Sequence, residues 1–252
     1  MVMLHPSPMS SAFLEPVMTH LEDLVSMVAA DTPGYGQSDP LPVGGDGLSP
    51  YLDWLELFLD AMGLERTGLY GSATGAQIAI EFAKRRPERC KWLVLENAVH
   101  FTDEERAEIM ANYFPDITPR ADGSHLATAW AMSDGLFRQF PWFSQRPEDR
   151  VKGPGPPPGF VHATVLAYLT AGPDYDRAYR AAFNNEKAER LAEVPVPTAV
   201  MRWGGSLLKK QADRFDDYPW PEHIRMVHSG PSPEERFAAL REAVKTLAQG
   251  VE

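Results

Sequence analysis

The chain has 252 residues, 44% of them hydrophobic and 23% charged, which suits one large α/β domain or such a domain with an inserted lid. Lys and Arg number 24 against 35 Asp and Glu, a formal charge of −11, which argues against nucleic acid or an anionic membrane as partner. The single cysteine, Cys90, excludes an intrachain disulfide framework and a C-x-x-C metal or redox site.

Residues 1–4 form a short apolar strand that stops at His5-Pro6-Ser7-Pro8, where proline fixes φ and removes a donor. This start lacks a basic n-region and a long apolar h-region, and no run approaches a membrane span, so a cytoplasmic protein is expected. Residues 11–24 carry Phe13, Leu14, Val17, Met18, Leu21 and Leu24 at helical spacing, and residues 25–30 read as a second strand. Strand, helix, strand in this order predicts a βαβ unit and a parallel sheet. A Gly-rich connection over 41–48 leads to a helix from Ser49, ended by Gly63.

The third strand, 66–70, runs into Gly71-Ser72-Ala73-Thr74-Gly75, followed by a helix over 74–86. That is the layout of a nucleophile elbow, G-x-S-x-G, in which a strained strand-to-helix turn pushes one side chain into an active site. The tip position is Ala73, which offers no nucleophile and no proton. A fourth strand spans 91–96. The alternation then breaks. Helical stretches follow at 102–113, 126–137, 159–171 and 174–182, with a Pro-rich turn or rigid loop over 151–158. The sheet resumes at 197–203, a helix spans 207–215, a last strand 223–227, and a closing helix 234–247.

The pattern resembles an α/β-hydrolase-fold protein with a helical cap. The motifs that carry this are Leu4-His5-Pro6-Ser7-Pro8 (the strand-end H-G-x-P loop), Asp31-Thr32-Pro33-Gly34-Tyr35-Gly36-Gln37-Ser38, the elbow, and Val194-Pro195-Val196-Pro197 with Trp203-Gly204. The resemblance implies a mostly parallel sheet flanked by helices, with a core of residues 1–99 and 192–252 and a cap of residues 100–191. It also shows what has changed. The nucleophile position is Ala73, no carboxylate follows Trp203-Gly204, and the histidine position falls on Gly230-Pro231. His228 would serve only if that loop is shortened. The family acid can move to the end of the strand before the cap, where Glu96 and Asn97 lie. The oxyanion hole would use the N–H groups of Thr74 and Ser7.

The expected function is therefore proton-transfer and oxyanion-hole chemistry without a Ser-His-Asp triad, such as elimination, cyclisation or C–C cleavage. The substrate would be a small, largely apolar or aromatic molecule, with no cofactor and no metal. His100 and His228 are the candidate acid/base groups. His5, Ser72, His125, Trp130, Phe137, Trp142 and His162 are the candidate substrate contacts. Each has a plainer reading: His5 holds its loop, the cap histidines are satisfied polar groups, the cap aromatics are core, and Asp31 fixes its own turn. Two rivals stand beside this reading. One is an ester or carbon–carbon bond hydrolase whose nucleophile was replaced by Ala73. The other is a catalytically dead binding protein. A homodimer is left open.

Overall fold

The computed structural model describes residues 1–42, 47–151 and 155–250. The Gly-rich connection over 41–48 and the Pro-rich loop over 151–158 fall partly outside the described residues. Six strands form one sheet: β1 (Val2–Leu4), β2 (Val28–Ala30), β3 (Thr67–Ser72), β4 (Cys90–Glu96), β5 (Thr198–Trp203) and β6 (Ile224–Ser229). Their order is β2-β1-β3-β4-β5-β6, and every pairing is parallel.

The helices are α1 (Glu15–Leu21), α2 (Ser49–Ala61), α3 (Thr74–Arg85), α4 (Asp103–Asn112), α5 (Ser124–Leu136), α6 (Pro158–Ala171), α7 (Arg177–Asn185), α8 (Ala188–Ala192), α9 (Lys209–Ala212) and α10 (Pro233–Gln249). Strand alternation sends side chains to two cores. Leu4, Leu69, Leu93, Leu95 and Val200 pack with Leu55 and Leu59 of α2 and Ile78 and Phe82 of α3. Met3, Tyr70, Val94 and Met201 pack with Val17 and Leu21 of α1 and Leu240 and Val244 of α10. Among the described residues no helix is long and apolar enough to cross a membrane.

Several boundaries differ from the sequence reading. The first helical stretch opens with a 3-10 turn at Ser11–Leu14 before α1 begins, because Pro16 suits only a helix start. The helix expected over 207–215 is one α turn, α9, and then a 3-10 turn at Asp213–Phe215. The last strand continues to Ser229, which matters for His228 below.

The topology places the site. The chain enters at β1, steps to β2 on one side, then returns to β3 on the other. Crossover loops therefore leave the C-terminal ends of β1 and β3 in opposite directions, opening a crevice between them. In register, Leu4, Gly71, Leu95 and Val200 lie side by side just below that edge. The loop after β2 is braced separately: Asp31 accepts the N–H groups of Ser11 (2.7 Å) and Gln37 (2.8 Å). That is the turn-fixing role.

Candidate active site

Above the crevice lies a cavity of about 410 Å³, in the range of small-molecule sites (~300–1,000 Å³). Its floor is the C-terminal edge of the sheet: Ser7 after β1, Ser72, Ala73 and Thr74 at the end of β3, Glu96 and Asn97 after β4, and Ser206 after β5. Its walls are apolar, with Phe101, Phe137, Phe140, Phe160 and Phe183 from the segment between β4 and β5 and Phe13 from the 3-10 turn before α1.

The elbow keeps its geometry without its nucleophile. Ala73 has φ 47° and ψ −110°, a conformation that costs an L-residue about 1–3 kcal/mol. Its N–H donates to Glu96 O at 2.9 Å and its carbonyl accepts from Gln77 N–H at 3.1 Å, so both peptide groups pin the turn. The framing glycines are required by contact. A Cβ on Gly71 would sit 2.4 Å from Gly75 O, and one on Gly75 would sit 2.2 Å from Leu4 O. Thr74 opens α3, so its N–H has no intrahelical acceptor, and its Oγ1 is buried without a partner. An Ala73→Gly variant should be more stable by about 1 kcal/mol, since glycine adopts φ > 0 without strain but costs more chain entropy. Urea unfolding of the two proteins measures this.

Where a triad would stand, the floor holds two other networks. In the first, Asn97 Nδ2 donates to Ser72 Oγ (3.3 Å) and Ser206 Oγ donates to Asn97 Oδ1 (2.9 Å), linking the ends of β3, β4 and β5. Asn97 itself is left-handed, at φ 54°, which Asn tolerates better than most residues. In the second, Arg236 in the first turn of α10 grips buried Glu96 with both prongs, Nε to Oε1 at 2.8 Å and Nη2 to Oε2 at 2.6 Å. The Tyr70 hydroxyl also donates to Glu96 Oε2. The guanidinium lies over the rings of Trp203 and Phe237. Glu96 therefore takes three fixed donors, one on Oε1 and two on Oε2.

A second carboxyl, Glu186, lines the cavity from the end of α7 and is only 4% exposed. Burial pushes its carboxyl well above the usual range, against the smaller opposing pull of the Val99 N–H, of Arg106 and of the Gln77 side chain. Among the described residues no group of His, Cys, Asp and Glu is placed to hold a metal ion.

A strained elbow over a parallel-sheet crevice agrees with a direct match. The model of the alpha/beta hydrolase fold family covers residues 1–219. The chain belongs to that family. Within the hydrolase fold, the curated relatives match only in part. One is the dihydrolipoyllysine-residue acetyltransferase component of an acetoin cleaving system from Cupriavidus necator, 32% identical over 33% of this chain and 22% of that protein. Another is a 2-hydroxy-6-oxononadienedioate/2-hydroxy-6-oxononatrienedioate hydrolase from Pseudomonas putida, 34% identical over 37% of this chain and 34% of its own length. The chain thus matches about a third or less of these relatives. A solved hydrolase from Pseudomonas aeruginosa superposes with a TM-score of 0.70 over 98% of this chain and 88% of the other, at 17% identity, a likeness of fold.

Of the residues singled out from the sequence, the hydrolase-fold cavity gathers Ser7, Ser72, Ala73, Thr74, Glu96, Asn97 and Phe137. None of the histidines is among the described residues that line it. His100, expected in the cleft, lies to one side, its Nδ1 accepting the Ala188 N–H at the start of α8 (3.1 Å). Ala98 and Phe101 take the wall in its place. His228, expected to follow the last strand, lies inside β6, paired with Arg202. Because β6 is an edge strand and runs on to Ser229, this side chain is 61% exposed and rests 3.5 Å from Asp216. His5 accepts the Thr32 N–H at Nε2 (2.9 Å), which leaves its proton on Nδ1 toward Pro6 O (3.0 Å). Burial lowers its pKa further, and it acts as a loop brace.

The remaining contacts are corrected in the same way. His125 Nδ1 accepts the Arg120 N–H, closing the turn before α5. His162 is exposed on α6, and Trp130 is 49% exposed on α5. Trp142 donates its Nε1–H to Tyr113 O and packs against Tyr113 and Phe143. Cys90 is packed at the start of β4, and burial pushes its thiol up to about 12. Glu186 and Arg236 carried no signal in the sequence. The first follows an ordinary amphipathic helix, and the second sits just after the Ser232–Glu235 capping box, where an arginine reads as solvated.

Proposed function

We propose that this protein is an enzyme that acts on a small, largely apolar or aromatic carbonyl compound without a covalent enzyme intermediate. One observation carries the reading: the elbow is held in its strained form at the cavity floor while its tip is Ala73. Strain persists where the surroundings over-determine it, and it clusters at functional sites. What the strained turn still supplies is the Thr74 N–H at the start of α3, a donor for a carbonyl oxygen that gains charge. Ser7, from the loop after β1, would supply the other; among the described residues its N–H meets no acceptor. The helical segment between β4 and β5 would act as the cap that excludes water, its phenylalanines covering the apolar part of the ligand.

A hydrolase that had lost only its nucleophile would keep an imidazole beside the tip. The lining residues include none, and the carboxylate nearest the elbow is tied to Arg236. The relatives named for hydrolysing oxo-dienedioates make a carbonyl substrate reasonable. The reading is tested by offering nitrophenyl esters and aryl ketones side by side to the native chain and to Ala73→Ser. Turnover is expected on ketones with acidic α-hydrogens, and nitrophenolate release at the buffer rate in both proteins. Esterase activity appearing in Ala73→Ser would establish the hydrolase alternative instead.

A second reading, a binding protein without turnover, draws on the saturation of Glu96 by Arg236 and Tyr70. It predicts ketone affinity with no chemical change in the ligand.

A further inference from the structure

We propose that Glu186 is the catalytic acid–base of this cavity, taking a proton from the carbon next to a bound ligand's carbonyl and returning it. The proposal rests on the carbonyl reading above. Glu186 ends α7, whose Tyr179, Ala182 and Phe183 line the same cavity. It stands beside the helix that starts at the elbow: Asn185 Nδ2 donates to Gln77 Oε1 at 2.9 Å, one turn along α3 from Ala73. Its carboxyl is held by the Val99 N–H, which donates to Oε2 at 2.9 Å, and by the side-chain amide of Gln77. Buried Glu side chains are normally paired with a cation. This one has no ion-pair partner among the described residues.

The charged and titratable groups around it have partners of their own. Arg106, from α4, faces it but spends both Nη groups on carbonyls, Nη1 on Phe183 O, and Nη2 on Phe101 O (2.9 Å) and on the backbone oxygen of Glu186 (3.2 Å), while its Nε lies 3.9 Å from Asp103. Glu105 of α4 is paired with Arg214. The His100 ring takes the Ala188 N–H, and Tyr179 shares its hydroxyl with Tyr113. Lys187 reaches outward to Asp103. A buried carboxyl with neutral donors and no ion-pair partner among the described residues, set against an apolar cavity, is the arrangement that makes a general base strong at neutral pH, since a raised pKa increases proton affinity.

The step balances without a co-reactant. The ligand's α C–H bond breaks, its electron pair forms a C=C bond, and the carbonyl oxygen becomes an enolate oxygen at the Thr74 and Ser7 N–H groups. Glu186 carries the proton, exchanges it with solvent, and gives it back to carbon. The base form is the carboxylate and burial favours the acid, so the rate rises with pH through an elevated carboxyl range and levels above it.

Phenylacetone in D₂O is the probe, with loss of its methylene ¹H signal read by NMR. The native chain is expected to exchange it faster than buffer, and Glu186→Gln to lose about 100-fold or more of that rate. Gln keeps an acceptor for the Val99 N–H, and circular dichroism checks the fold. Glu186→Asp, which retains a carboxyl one methylene shorter, should exchange more slowly with a sigmoid pH profile, and it serves if the Gln variant does not fold. A folded Glu186→Gln that exchanges at the native rate overturns the role of Glu186 and leaves the carbonyl reading standing. So does an Asp variant as fast as the native chain whose pH profile has moved to that of another group. A native chain that binds phenylacetone without exchanging it overturns both.

Discussion

Replacing Arg236 by methionine will destabilise the protein by about 3 kcal/mol, the lower end of the cost of breaking a buried ion pair. The lower end applies because the Arg236 side chain keeps 20% exposure while Glu96 keeps 4%. The loss is that of a buried carboxylate stripped of two charge-assisted bonds and left with Tyr70 alone. A double variant, Glu96→Gln with Arg236→Met, should recover most of the stability, since a neutral amide needs no cation. Urea unfolding of native, single and double variants reads the coupling. A single variant within about 0.5 kcal/mol of native would mean that the pair is solvated and that Glu96 remains free to do chemistry.

Gly75→Ala reverses the sign that helix propensity predicts. In an exposed helix, alanine in place of glycine gains about 1 kcal/mol. At position 75 the new Cβ would sit 2.2 Å from Leu4 O and 2.5 Å from Leu4 C, backbone atoms of β1. Neither can move without shifting β1 against α3, and those two elements carry Ser7 and Thr74 to the floor of the cavity. Overpacking of this kind costs about 3 kcal/mol. For a chain of this size that is a fall in Tm of ~10 °C. Thermal unfolding followed by circular dichroism tests it, and a rise in Tm would show that α3 stands off from β1. The same shift would spread the two donor loops, so ketone turnover should fall even at temperatures where the variant stays folded.

The elbow was the most legible part of the chain because its demands are local. A strand, a turn with glycine at 71 and 75, and an apolar helix all lie within one short stretch, and each residue type answers a steric need of that stretch. The six strands and the helical interruption were legible for a related reason, since period and turn chemistry are properties of neighbouring residues. The histidines were not. His100 and His228 are at plausible distances from strand ends, but the direction of a side chain there depends on where the chain goes next. Asn97, in a left-handed conformation, turns Ala98 and Phe101 inward and His100 away. Two more residues of β6 put His228 on a strand at the sheet edge. Trp130 stands outside the cavity for another reason: helical spacing shows that a face exists, not which neighbour covers it, and on α5 the buried side is that of Ala129 and Met132 while Trp130 is half-exposed.

By itself the sequence determined the sheet-and-helix order, the family resemblance and the missing nucleophile at Ala73, because each is written in residues close together along the chain. Only the tertiary structure decided which side chains meet at the cavity. Arg236 meets Glu96 across 140 positions, and Glu186 meets Val99 across 87. Those meetings follow from β4 lying beside β5 and from α7 and α10 closing over the same strand ends. An ion pair or a buried acid is a property of that enclosure, through the water it excludes, and no run of neighbouring residues encodes it.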